Sequence, residues 1–206
     1  VRLPAELIRD HALNVSGLIK QQLGGPAVFP EQPEDLYKGV VVGENYPGSK
    51  WEKSAGNDLY RRSLYTFWKR TVPHPVMLAF DAPEREFCSV RRSRTNTPLQ
   101  ALVLMNEPAL LEAARRFAQR VLEEGGPDDS ARLAYAFRSA TARVPGPQEL
   151  AVLHRSLGAF RESFRADAGG AKAFAAPADG APGEEIASYT ALAHLILNLD
   201  ETITKN

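Results

Sequence analysis

The chain has 206 residues, 44% hydrophobic and 24% charged, with 25 basic side chains balancing 25 acidic ones. That length supports one sizeable core, with or without a small appendage. The zero balance argues against a general nucleic-acid binder, which needs a basic excess against phosphate. No apolar run approaches a membrane span, the best candidate being 191–199, and Cys88 as sole cysteine excludes an internal disulfide.

The chain opens as VRLPAELIRD, without an initiator Met and almost at once inside a helical pattern, and reads as a C-terminal fragment of a larger protein. Pro4 followed by AELIRDHALNVSGLIKQQL predicts a helix that Gly24-Gly25 stops. Leu7, Ile8, Ala12, Val15, Leu18 and Ile19 form its apolar face, and Glu6, Arg9, Asp10 and Lys20 lie mainly on the other. His11 beside Asp10 suits a hydrogen-bonded structural histidine better than a proton-transfer couple.

Residues 25–56 break the pattern with prolines at 26, 30, 33 and 47, and predict a long irregular arm anchored by Tyr37, Tyr46 and Trp51, with a short strand at 40–42. Next, DLYRRSLYTFWKRT predicts a helix over 58–71, capped by Asn57, with Tyr60, Leu64, Phe67 and Trp68 inward.

The chain is organised around 80–108, FDAPEREFCSVRRSRTNTPLQALVLMNEP. Asp81, Glu84, Arg85, Glu86, Arg91, Arg92 and Arg94 crowd one loop between Phe80, Phe87 and Val90. Arginine forks match carboxylates, so an internal network of Arg85, Arg91 and Arg92 with Asp81, Glu84 and Glu86 is the favoured reading. An anion-binding pocket lined by the same arginines is the alternative. Cys88 reads as a small buried hydrophobe. Thr97 as cap and Pro98 at the first position start a helix whose LQALVLM is apolar nearly all round, hence central. Asn106 is expected to cap the next helix, which Gly125-Gly126-Pro127 ends.

Asp128 or Asp129 caps SARLAYAFRSATAR, and Pro145-Gly146-Pro147 connects it to a helix with Leu150, Leu153, Leu157, Phe160 and Phe164 at bundle spacing. The Ala/Gly/Pro-rich 166–183 predicts a mobile linker or insertion. A last helix spans 186–203, with His194 and Asn198 satisfying each other or nearby backbone.

His11, His74, His154 and His194 make no metal-binding spacing, and no CxxCH, EF-hand, Walker, GxGxxG or GxSxG motif occurs. No catalytic residue can be named and no metal site is expected.

RRSLYTFWKRT, the 80–108 stretch, the closing LILNLDETIT, the opening LPAELIRDHALNVSGLI and RLAYAFRSATARVPGPQELAVL together resemble the planctomycete surface domain. That is an uncharacterised C-terminal domain of large planctomycete proteins that often carry cytochrome-c-type modules. The resemblance implies a secreted or cell-envelope parent, with haem in other domains and no cofactor in this piece. It brings no activity; Arg61, Arg62, Trp68, Lys69, Arg70, Asp81, Arg91, Arg92, Arg94, Thr95, Asn96 and Gln100 stand at positions matching its motifs.

The reading is a single all-α domain over 1–206, an irregular bundle of five to seven helices with the 25–56 arm on one side. Its expected role is an accessory or interaction domain whose partners are other domains of the parent chain, with no nucleic acid and no membrane span. The alternative is a hydrolase-like or anion-binding site, for an acidic glycan or small anion. The candidate anion or ion-pair cluster is Arg61, Arg62, Asp81, Arg85, Glu86, Arg91, Arg92, Arg94 and Asn96.

Overall fold

The computed structural model describes residues 1–32, 51–175 and 183–205. Within them the chain is all-α: α1 (Ala5–Ser16), α2 (Pro75–Ala79), α3 (Pro98–Asn106), α4 (Pro108–Glu124), α5 (Asp129–Thr141), α6 (Pro147–Ala166), α7 (Ala168–Ala175), α8 (Gly183–Leu197) and α9 (Asp200–Ile203). Seven of these exceed seven residues, and extended backbone pairs only as isolated bridges among the described residues.

The core is α4 laid along α8, with α1 against α4 and with α6 and α7 against α8. Leu110, Ala113, Ala114, Phe117, Ala118 and Val121 form the buried stripe of α4 at helical spacing. They meet Ile186, Tyr189, Leu192, Ala193 and Ile196 of α8 in the same core. Removing apolar area of this kind from water stabilises by roughly 25 cal/mol per Å². Small residues at 113, 114 and 118 let the two helices approach closely. Arg161 of α6 clamps the bundle, bonding Asp129 of α5 at 2.5 and 2.9 Å and Glu185 of α8 at 2.5 and 3.0 Å. Hydrogen bonds from Arg161 and Tyr189 hold the Asp129 carboxyl at about 2, against its burial.

The helix starts follow their residues. Thr97 accepts from Gln100 N with Pro98 next, and Asp128 accepts from Ala131 N. Asn106 departs from the reading: it ends α3, bonding back to the Leu102 carbonyl, and Glu107 precedes α4. At the other end of the chain, α8 stops at Leu197 and α9 is a separate short turn.

The first helix is shorter than its pattern. Gly17 at φ +78° lets Leu18 N return to the Leu13 carbonyl, so α1 ends at Ser16, well before Gly24. The chain beyond it runs extended, and that has a larger consequence. Residues 58–71 do not form the expected helix; they make two short 3-10 turns, Gly56–Tyr60 and Ser63–Tyr65, joined by extended backbone. Their hydrogen bonds run sideways instead: Lys20 N to the Tyr60 carbonyl at 2.9 Å, Val28 N to Tyr65 at 2.8 Å, and Phe67 N to Val28 at 2.8 Å. Arg61, Ser63 and Thr66 are buried, whereas Leu64, placed inward by the helical reading, is exposed.

In the 25–56 arm, Trp51 anchors as expected: it packs against Phe29, Phe67 and His74 and donates to the Pro30 carbonyl at 2.7 Å. Tyr37, Tyr46 and the short strand at 40–42 lie outside the described residues. Within 166–183, read as a mobile linker or insertion, 168–175 forms α7 and buries Ala171 and Ala175 against the core, and 176–182 lie outside the described residues.

His11 Nε2 bonds the Ala140 carbonyl at 2.9 Å and His194 Nε2 bonds that of Leu104 at 3.1 Å. Asn198 donates to the His194 carbonyl at 2.7 Å, so all three are structural.

Candidate functional site

Two features put the loop 80–97 at the surface. Residues Glu84 to Asn96 are all exposed, and the loop turns through Asp81 and Arg85 at φ +60° and +64°. Non-glycine residues rarely adopt that left-handed geometry, and it persists where surrounding bonds enforce it. For Asp81 those bonds are visible. Its carboxylate accepts from Thr95 N at 2.6 Å and from Thr95 Oγ1 at 2.9 and 3.0 Å, pinning the two ends of the loop together.

Between this loop and the first residues of the chain lies a cavity of about 760 Å³, lined by Arg2, Leu3, Pro4, Phe80, Asp81, Arg91, Arg92, Ser93, Arg94, Thr95 and Gln100. Arg92 also reaches out of it to Glu6, at 2.8 Å, and Arg2 meets Asp200 at 3.5 Å. Among the described residues neither Arg91 nor Arg94 has a carboxylate partner. The floor is Gln100, fully buried, whose Nε2 donates to Thr95 Oγ1 at 2.9 Å and whose Oε1 has no partner among the described residues.

The nine residues named from sequence therefore divide. Asp81, Arg91, Arg92 and Arg94 share the cavity. Arg85 lies outside it, its guanidinium 4.6 Å from the ring centre of Trp68, whose Nε1 donates to the Glu84 carbonyl. Glu86 is exposed and lines a shallower hollow with Arg85, Phe87, Cys88 and Arg92. Asn96 is exposed.

Arg61 and Arg62 belong to another part of the molecule. Arg61 is buried, bonds the carbonyls of Pro26 and Gly24 and stacks on Tyr65 at 4.2 Å, while Arg62 meets Asp10 at 3.5 Å. The expected pairing of Arg85, Arg91 and Arg92 with Asp81, Glu84 and Glu86 does not form among the described residues. Asp81 is occupied by Thr95, and Arg92 finds Glu6 on α1. Cys88 is exposed rather than buried.

The apolar α3 is also placed differently. Gln100 and Leu104 are buried, but Leu99, Leu102 and Met105 are 58%, 57% and 58% exposed. The helix is apolar on both faces, and among the described residues only one of them is covered. On the loop leading to it, Phe87 and Val90 are exposed as well.

A second polar centre lies between α1 and the extended 58–67 segment. Arg9, read from its spacing as solvent-facing, is 5% exposed and donates to the carbonyls of Arg61 at 3.0 Å and Leu59 at 2.6 Å and to Ser63 Oγ at 3.2 Å. Asp10 supports the same turn by accepting from Ser63 N at 2.7 Å. Burial lowers the Arg9 pKa, with Asp10 and then Glu107 opposing.

Burial pushes the Glu107 carboxyl up to about 7, Arg9 opposing and Glu31 assisting. Burial pushes His74 down to about 4, opposed by its bond to the Glu31 carbonyl. Tyr60 bonds Glu112 at 2.5 Å, and burial first, then that bond, raise its phenol to about 12. Each of these groups is held by fixed bonds or packing, so the centre reads as a strut under the arm.

No set of three or more His, Cys, Asp or Glu side chains among the described residues could hold a metal ion, and no described helix is long and apolar enough to cross a membrane. Sequence reasoning missed Arg2, Leu3 and Pro4 as cavity walls because nothing local links them to a loop some eighty residues away.

No curated protein and no solved structure matches the chain. Residues 1–157 match the PSD1 family, described as protein of unknown function (DUF1553), a stretch that holds every residue of the cavity. With the match covering most of its 206 residues, the chain belongs to that family.

Proposed function

We propose that the chain is an interaction domain of a multidomain cell-surface or secreted protein, docking through α3 onto neighbouring modules of the same polypeptide. Cytochrome-c-type modules, which would hold haem, are among those neighbours. The observation that supports this reading is the outward apolar stripe Leu99, Leu102 and Met105, at i, i+3 and i+6 on one helix. Large apolar side chains grouped on one face mark contact sites more often than isolated ones do. A helix that buries Gln100 and Leu104 on one side and presents this stripe on the other is suited to lie between two bodies.

Binding of this chain to the remaining modules of its parent, measured by titration calorimetry, tests the reading. Leu102→Asp with Met105→Asp changes only exposed side chains and is expected to weaken that binding at least tenfold. Unchanged affinity, or no binding by the original chain, overturns it.

A further inference from the structure

We infer that the cavity between loop 80–97 and the first residues of the chain binds a small anion that also carries hydroxyl groups, the chemistry of an acidic sugar. This goes beyond the docking role of α3 and rests on different atoms.

The anionic part follows from charge. Four arginines line the cavity, and one aspartate opposes them. Arg92 is compensated by Glu6, and the Asp81 oxygens are taken up by two donors of Thr95. Arg91 and Arg94 are left with open guanidinium forks, and a planar or tetrahedral oxyanion is the partner such forks bind best.

The hydroxyl part follows from Gln100. Thr95 Oγ1 has a single proton and gives it to Asp81, so it meets the amide of Gln100 only as an acceptor. That sets the orientation of the amide: Nε2 faces Thr95, and Oε1 is the end left over. It is a buried acceptor without a donor among the described residues, on a side chain that lines the cavity. An unmade hydrogen bond of this kind destabilises the folded chain until a donor supplies it. A bare oxyanion cannot relieve it, since it brings only acceptors. A hydroxyl can.

The relay from Gln100 through Thr95 to Asp81 is the same set of bonds that holds Asp81 at positive φ. The strain in the loop and the open acceptor therefore have one origin. The volume is in the range of small-molecule sites and admits a monosaccharide with room to spare.

The test uses the whole chain and three probes: glucuronate, which has the charge and the hydroxyls, acetate, which has only the charge, and glucose, which has only the hydroxyls. Titration followed by amide NMR shifts is expected to show glucuronate binding at least tenfold more tightly than either of the others, and more weakly as salt is raised. Arg91→Ala with Arg94→Ala, both at exposed positions, is expected to lower glucuronate affinity at least tenfold. Gln100→Leu is expected to bring glucuronate down to the level of acetate while leaving acetate unchanged. If that variant does not fold, the three-probe comparison on the original chain still decides. Equal binding of acetate and glucuronate, binding of glucose as tight as glucuronate, indifference to the arginine pair or no binding at all would each overturn the assignment. The α3 pair Leu102→Asp and Met105→Asp is expected to leave glucuronate binding unchanged.

Discussion

Arg9 Nη1 donates to the main-chain carbonyl of Arg61 at 3.0 Å, so one buried arginine holds the backbone of another. Its second arm reaches the Leu59 carbonyl at 2.6 Å. Removing it strands two carbonyls in a dry place, each worth roughly 1–3 kcal/mol. Arg9→Met is expected to destabilise the domain by about 3 kcal/mol. Arg9→Lys should recover less than half, because one ammonium cannot span acceptors that a planar fork spans. Urea unfolding of the three proteins at one pH checks both statements; a Lys variant as stable as the parent would contradict the geometry.

Glu107 and His74 act in opposite directions with pH. The Glu107 carboxyl is raised to about 7 in the folded chain, so its favourable state is present below the unfolded value and is lost as pH rises toward 7. The His74 imidazole is lowered to about 4, so its favourable state is present above the unfolded value and is lost as pH falls toward 4. Each shift is worth roughly 3 kcal/mol at about 1.4 kcal/mol per unit, and the two windows overlap. Between about pH 4.5 and 6.5 the two contributions should nearly cancel. Glu107→Gln is expected to expose the His74 slope, with stability falling on acidification, and His74→Gln the reverse. Urea midpoints measured at both ends of that window would show it, and parallel slopes in the two variants would rule it out.

Cys88 lies on the exposed loop. It should react with a thiol reagent in the native state, without prior unfolding and with no loss of helix signal by circular dichroism. Labelling that waits for unfolding would contradict the described position of the loop.

Ala142 closes α5 at φ +67°. An L side chain there costs on the order of 1 kcal/mol relative to glycine. Ala142→Gly is therefore expected to raise the thermal midpoint by a few degrees, read by calorimetry. An unchanged or lower midpoint would show that the turn is not strained.

The bodies of α4, α5 and α6 and the start of α3 were legible because their signals are local. Thr97-Pro98, Asp128 and Pro147 mark starts with one or two residues, and the stripe from Leu110 to Val121 needs only helical spacing. The 58–71 segment defeated the same logic. Its apolar spacing is helical, yet Arg61 finds its acceptors at Gly24 and Pro26, and its neighbours' backbone bonds go to Lys20 and Val28. Tertiary partners outweighed propensity there. The reading of α3 as central failed for a related reason: pattern reports that a face is apolar and says nothing of whether this chain is what covers it. At the cavity, the loop arginines could be named from sequence. Their division could not, because Glu6 and Arg2 reach them only through the fold.

Leu3 N bonds the Ile203 carbonyl at 2.9 Å and Lys205 N bonds that of Val1 at 2.8 Å, so the two ends run side by side, and Arg2, Leu3 and Pro4 are also cavity wall. A polypeptide joined to Val1 starts one residue from that wall. A purification tag or fluorescent fusion placed there would stand near its doorway, and a reporter of occupancy is better attached at an exposed site that does not line it, such as Arg155 on α6.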